Sequence, residues 1–192
     1  MAEVNYSIDL DLKEVKAMVD HLVPYIYEDD LYGKITLDSA RLTPGAILLR
    51  LRRLNALRDQ MSTAQAAQLD RISATNDKVR QEWAVAYGRK MVREAEGRLR
   101  DLNTYLKECK DDPRLCANAY LPEALRRTMV AEILDALPAE VDGSALKTSA
   151  KSVDSGLRRY VEETDFLWDR TLMPIYPAEA YWWLYNRPPK PE

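Results

Sequence analysis

Apolar positions recur along this chain mostly every third or fourth residue, the spacing of a helix that buries one stripe. The clearest run is Val79, Trp83, Tyr87, Met91, Ala95, Leu99, Leu102 and Leu106, which predicts one helix of about 30 residues and needs only core packing to explain it. Leu125, Met129, Ile133 and Leu137 repeat at spacing four behind Pro122, a residue suited to the first helical position because the N–H there lacks a partner anyway. Leu146, Ala150, Val153, Leu157 and Val161 predict a further helix from Ser144 to about Glu163. The cleanest start is Thr43-Pro44-Gly45, a capping hydroxyl followed by proline.

Two stretches depart from that period. Val4 to Leu12 alternates apolar and polar residues, and Ile35 and Leu37 alternate again, so a minor two-stranded β ribbon near the N-terminus is expected ahead of a helix that Asp11 and Glu14 begin and that runs to about Val23. Between Pro44 and Lys110 there is no proline at all, yet one helix of that length would reach roughly 100 Å. It therefore breaks, at Ser62-Thr63-Ala64-Gln65 or between Ser73 and Asp77, or it projects. Gln60 to Lys78 offers only Met61, Leu69 and Ile72 as large apolar residues, which reads as an arm. Pro177 starts a short aromatic helix, and Pro188-Pro189 leads into an extended tail.

These elements add up to a mainly α protein, an antiparallel bundle of about five to seven helices within a single domain. Residues 1–43 form an N-terminal extended and helical segment, 44–110 a basic helical hairpin or long arm, and 111–163 two further helices; 164–192 form an aromatic clasp with its tail. Six glycines among 192 residues are too few for the many tight turns of an all-β sandwich.

Composition narrows the chemistry. His21 is the only histidine, so a nucleophilic triad would have to be built around it, and sites needing two imidazoles are excluded. A di-iron bundle wants Glu three residues before each of two histidines, and that place holds Met18. His21 reads as a solvated or capping side chain at a helix end. Cys109 and Cys116 flank a turn signal, Asp111-Asp112-Pro113. With no basic, apolar start to suggest export, the expectation is a cytoplasmic protein whose cysteines stay unpaired and buried. A structural zinc would need two more ligands than these, so no metal and no cofactor is expected. The longest apolar runs, Ala46 to Leu49 and Ala180 to Tyr185, fall far short of the roughly 20 residues that cross a bilayer.

The net charge is −3, but residues 44–110 carry 14 basic against 8 acidic side chains. A nucleic-acid-binding hairpin is the alternative this suggests. Against it, Arg50, Arg52, Arg53 and Arg58 scatter around the helix rather than gathering on one face, which favours pairing with acids inside the molecule. At about 100° per residue Arg58 falls near Leu51 and Leu54, on the apolar side, where Glu28, Asp29 and Asp30 are its candidate partners. Arg58→Ala is then expected to cost more than Arg52→Ala. A second alternative is a magnesium-dependent carboxylate hydrolase using Glu132 with Asp135, or Glu108 with Asp111, plus a third acid in reach.

Half of the aromatic residues lie beyond residue 159. Consecutive residues diverge by about 100° on a helix, so Trp182 and Trp183 cannot share one face. The segment is clasped from two sides, or one indole is left for a partner or ligand. The candidate interaction surface is Trp168, Tyr176, Tyr181, Trp182, Trp183 and Tyr185, together with Arg58. The functional expectation is a non-catalytic cytoplasmic helical scaffold or adaptor, acting through a protein partner or as a homo-oligomer.

Overall fold

Ser7 opens the first helix by accepting the Leu10 N–H, so the residues expected to be extended are helical from Ile8 onward in the computed structural model, which describes residues 5–35 and 40–189. Helix α1 (Ile8–Asp20) buries Leu12, Val15, Met18 and Val19 and leaves Leu10 about half exposed. Helical spacing therefore decides this segment, and the alternation of period two is incidental. His21 ends α1, with its Nδ1 2.8 Å from the Ala17 carbonyl oxygen, and α2 (Leu22–Tyr27) follows at once. Among the described residues the N-terminal segment holds no strand, and the minor ribbon lies elsewhere. Gly33 and Leu42 make one isolated bridge, exchanging N–H···O bonds of 2.9 Å, while Leu37 lies outside the described residues. The two-stranded sheet stands near the other end of the chain, where β1 (Glu162–Glu163) runs antiparallel to β2 (Asn186–Arg187).

The proline-free stretch resolves into three helices. Thr43 caps α3 (Pro44–Ala56), accepting the Ala46 N–H. A short 3-10 turn, Arg58–Gln60, leads to Ser62 and Gln65, which form a reciprocal capping box for α4 (Thr63–Glu82). The next break is at Trp83, not between Ser73 and Asp77, and α5 (Ala84–Asp111) carries the long stripe, burying Tyr87, Met91, Ala95, Leu99 and Leu102. No arm projects: α4 packs on α1, burying Leu69, Ile72 and Val79, and Gln65 Nε2 donates to Asp9 at 2.7 Å.

Helix α6 (Pro113–Ala136) begins earlier than the sequence suggests, capped by Asp112, and Pro122 stands inside it. Pro122 and Asn118 both face solvent, so the carbonyl deprived of its helical partner can bond water there. Helix α7 (Ser144–Leu157) stops short of Glu163. Seven α-helices among the described residues make the protein mainly α. The α5–α6 hairpin forms its centre, with α3 on α6, α7 on α5, and α1 bridging α3 and α4. Two 3-10 turns, Arg170–Ile175 and Trp182–Leu184, carry the C-terminal aromatics back across this framework.

The cysteines join α5 to the first turn of α6. Cys109 and Cys116 form a disulfide, correcting the expectation of unpaired thiols, and both are buried where the Tyr105 hydroxyl donates to the Cys116 carbonyl. The turn between them brings the two side chains together, so proximity rather than compartment governs the pairing geometry.

Candidate functional site

Two arginines of α3 organise the C-terminal aromatics. The Arg53 guanidinium lies 4.7 Å from the Trp168 ring centre, and its Nε donates to the Tyr176 hydroxyl at 3.3 Å. Arg52 lies 5.0 Å from the Tyr181 ring centre and 5.7 Å from that of Tyr176. Arg50, on the next face, donates to Glu14 from α1. The rings meet edge to face in sequence: Trp168 with Tyr176, Tyr176 with Tyr181, and Tyr181 with Trp183. Cation–π and aromatic edge contacts each add about 0.5–1 kcal/mol beyond area burial, more when desolvated.

The neighbouring indoles part as their spacing requires. Trp183 is buried, donates to Thr128 Oγ1 at 3.0 Å and carries the Arg127 guanidinium 4.0 Å from its ring centre. Trp182 turns the other way and is covered by Arg158 at 3.8 Å. Of the residues expected at a contact surface, Tyr176, Tyr181 and Trp183 are buried, while Trp168, Trp182 and Tyr185 are half-buried against the core. They hold the C-terminal segment onto α3 and α6. Arg58 is elsewhere. Helix α3 ends at Ala56, so the helical wheel does not extend to Arg58; it is exposed and pairs with Asp70 through two bonds of 2.7 and 2.8 Å, not with Glu28, Asp29 or Asp30.

Beside this clasp, residues of α3, α4 and α6 line an open surface cleft of about 480 Å³. Leu48 and Leu51 supply its apolar wall, and Arg52, Arg80, Glu132, Asp135 and Asp77 its charges. Glu132 is buried; burial pushes its carboxyl up to about 7, opposed by Arg52 and reinforced by Asp135. Arg52 Nη1 stands 3.4 Å from Glu132 and 3.6 Å from Asp135, between the two acids. The third carboxylate required by a magnesium site is not grouped with them: among the described residues no three His, Cys, Asp or Glu side chains could hold a metal ion.

Two polar atoms in the cleft wall are buried without a hydrogen-bond partner, Asn76 Nδ2 and Ser73 Oγ. Asn76 is almost wholly buried, and its Oδ1 is 3.5 Å from the Tyr87 hydroxyl. Turning the amide over would only exchange an orphaned donor for an orphaned acceptor. Sequence reasoning passed over Asn76, although its signal was there: it interrupts the stripe Leu69, Ile72, Val79 on the buried face of α4. Arg80 has its Nη2 3.2 Å from the Ala136 carbonyl, at the end of α6.

A different surface is left apolar. Tyr27, at the end of α2, is largely exposed and stacks edge to face on Trp83 with ring centres 4.9 Å apart. Val23 is one helical turn earlier on α2, and Val85, which is 70% exposed, follows Trp83 at the α4–α5 break. Glu28, Asp29, Asp30 and Glu82 adjoin these residues in the chain and are all exposed.

The chain matches no family model, no curated protein and no solved structure. No helix among the described residues is long and apolar enough to cross a membrane. Fold and site together define a clasped, mainly α-helical protein with a polar cleft and an exposed apolar corner.

Proposed function

We propose that this protein is a non-catalytic helical scaffold or adaptor that works through protein contacts, and that the contact is made by the corner where α2 meets the α4–α5 break. The observation that carries this reading is Tyr27, 65% exposed yet held in a fixed edge-to-face contact with Trp83. An aromatic anchor ordered before binding loses little conformational entropy when a partner covers it. Exposed Glu28 and Asp30 beside the patch, where Asp29 and Glu82 already face Arg93 and Lys78, favour a different protein presenting apolar residues flanked by Lys or Arg.

The nucleic-acid alternative has less support. Arg50, Arg52, Arg53, Arg58 and Arg98 of the basic segment each pair with a carboxylate or ring of the same chain. The cytoplasmic setting expected from the sequence sits less easily with the Cys109–Cys116 disulfide, because such bonds persist in oxidising compartments. A contact function requires neither compartment.

Selection of displayed random peptides on the folded chain, with counter-selection on Tyr27→Ser/Val85→Ser, tests the proposal. The expected binders are apolar sequences with basic flanks that lose affinity for the variant and weaken with salt. Binders indifferent to the variant, acidic binders, or a dimer that dissociates on Tyr27→Ser would overturn it.

A further inference from the structure

Aromatic rings of this chain are repeatedly covered by its own cations. Trp182 lies under Arg158 at 3.8 Å, Tyr25 under Lys90 at 4.1 Å and Trp168 under Arg53 at 4.7 Å. Even Tyr32, the other ring exposed just after α2, has Arg98 5.9 Å from its centre. Tyr27 departs from this pattern. It is the most exposed aromatic residue among those described, and no guanidinium or ammonium group of the described residues lies over its ring. Its contact with Trp83 is edge to face, at an angle of 68° between the rings. The open face of an aromatic ring carries partial negative charge and attracts a cation.

The loop after α2 sets carboxylates beside that ring. Lys90 Nζ donates to the Glu28 and Asp30 carbonyl oxygens, each at 2.6 Å, and Arg93 Nη2 donates to that of Asp29 at 3.0 Å. Helix α5 thus holds the loop by its backbone. The Glu28 and Asp30 carboxylates stay exposed, without a hydrogen bond or ion pair to a described residue. Buried Lys90 offsets one of these two charges, and what is left suits a single cationic group. Because the loop is ordered beforehand, little conformational entropy is lost when that group arrives.

Arginine fits this arrangement better than lysine. A guanidinium is planar, so its face can stack on an aromatic ring while its edge N–H groups fork onto a carboxylate; an ammonium is a point charge that holds its water more tightly. We infer that the partner residue seated on Tyr27 is an arginine, its guanidinium laid on the ring and its N–H groups taken by the Glu28 and Asp30 carboxylates, with Val23 and Val85 receiving the apolar residues beside it. The inference rests on the contact reading of this corner and names the side chain that the contact selects.

Displayed random peptides selected on the folded chain supply the probes. The best binder is synthesised as selected, with its arginine replaced by citrulline, which keeps the planar shape without the charge, and with lysine in the same place. Citrulline is expected to weaken binding roughly tenfold and lysine about threefold. Tyr27→Leu keeps apolar bulk and removes the ring, whereas Glu28→Gln/Asp30→Asn removes the carboxylates; all three positions are exposed, so the melting temperatures are expected to stay close to that of the parent. In each variant the citrulline penalty is expected to shrink to about threefold, because the arginine has lost one of its two partners. Binders that need Tyr27 but carry no arginine, a lysine or citrulline peptide as tight as the arginine one, or a citrulline penalty unchanged in both variants would overturn the inference and leave the contact reading standing. The absence of any binder that depends on Tyr27 would overturn both.

Discussion

Arg127 on α6 and Asp154 on α7 meet through two bonds of 2.7 and 2.9 Å, with the Trp183 ring centre 4.0 Å from the same guanidinium. One side chain thus ties the α6–α7 contact to the C-terminal clasp. The Arg127 side chain is only 8% exposed, so its removal leaves Asp154 without its counter-charge and Trp183 without its cation. Arg127→Ala is expected to lower unfolding stability by about 3 kcal/mol. The pair Arg127→Met/Asp154→Leu, which removes both charges at similar volume, is expected to recover most of that loss. Urea unfolding midpoints of the single and double variants check this; equal losses in both would assign the effect to packing alone.

Arg52 and Arg58 are expected to behave in the opposite order to the one their sequence positions suggest. Arg52→Ala removes the partner of buried Glu132 and the cation beside Tyr181, and is expected to cost about 2 kcal/mol. Arg58→Ala breaks an exposed pair with Asp70, of the kind that contributes little in salt, and should leave the melting temperature almost unchanged. Thermal melts of the two variants side by side decide the order.

What could be read beforehand follows from range. The Thr43-Pro44 start and the Ser62–Gln65 box are local devices completed within a few residues, and both stand where the sequence places them. Pro122 misled because a proline on a solvent-facing turn is tolerated inside a helix that other residues hold in the core. Arg58 misled because a helical wheel was extended past Ala56, beyond the end of α3. The clasp was legible as a clasp, from aromatic density and the divergence of Trp182 and Trp183. Its counter-ions were not: Arg52 meets Glu132 across 80 residues of chain, and Thr43 meets Glu94 across 51, distances over which sequence pattern carries no register. The cleft depends on three helices meeting, and only the misplaced polarity of Asn76 hinted at it.

The Cys109–Cys116 disulfide closes a loop with a sequence separation of 7. Loop-closure entropy for so short a loop gives a stabilisation of about 2 kcal/mol. The double variant Cys109→Ser/Cys116→Ser is expected to lower the urea midpoint accordingly, and reductant is expected to destabilise the parent but not the variant. A parent indifferent to reductant would mean that the thiols are unpaired in solution.

Glu94 on α5 is fully buried beneath the start of α3. It accepts from the Thr43 hydroxyl, the Gly45 N–H and Arg98 Nε, each at 2.7 Å. A negative charge at a helix N-terminus is favourable, and here it also stands in for a missing helical acceptor. Gly45 is required by proximity: a Cβ there would lie 2.7 Å from Glu94 Oε1 and 3.1 Å from Ile133 Cδ1. Gly45→Ala is expected to cost about 1–3 kcal/mol. Gly88→Ala, whose Cβ would meet only Val141 Cγ2 at 3.5 Å, is expected to gain up to about 1 kcal/mol from helix propensity. Melting temperatures that move in the same direction for both variants would remove the steric argument.

Glu132 gives the molecule a pH dependence of definite sign. Its carboxyl is pushed up to about 7 in the folded protein, chiefly by burial, against an ordinary value of 4.5. Between those two values the folded chain holds a proton that the unfolded chain has released, so unfolding stability falls as pH rises through this window. The contribution is present in full below the lower value and lost above the upper one. Its size is on the order of 3 kcal/mol at most, reduced by the solvent that reaches Arg52. Asp11 and Glu123 are shifted upward by burial too, so the slope of the parent alone does not isolate Glu132. Glu132→Gln does, because it keeps the shape of the protonated acid and removes its titration. Urea midpoints measured from about pH 4.5 to about pH 8 are expected to fall more steeply for the parent than for Glu132→Gln. Parallel slopes would mean that Glu132 stays ionised beside Arg52 throughout.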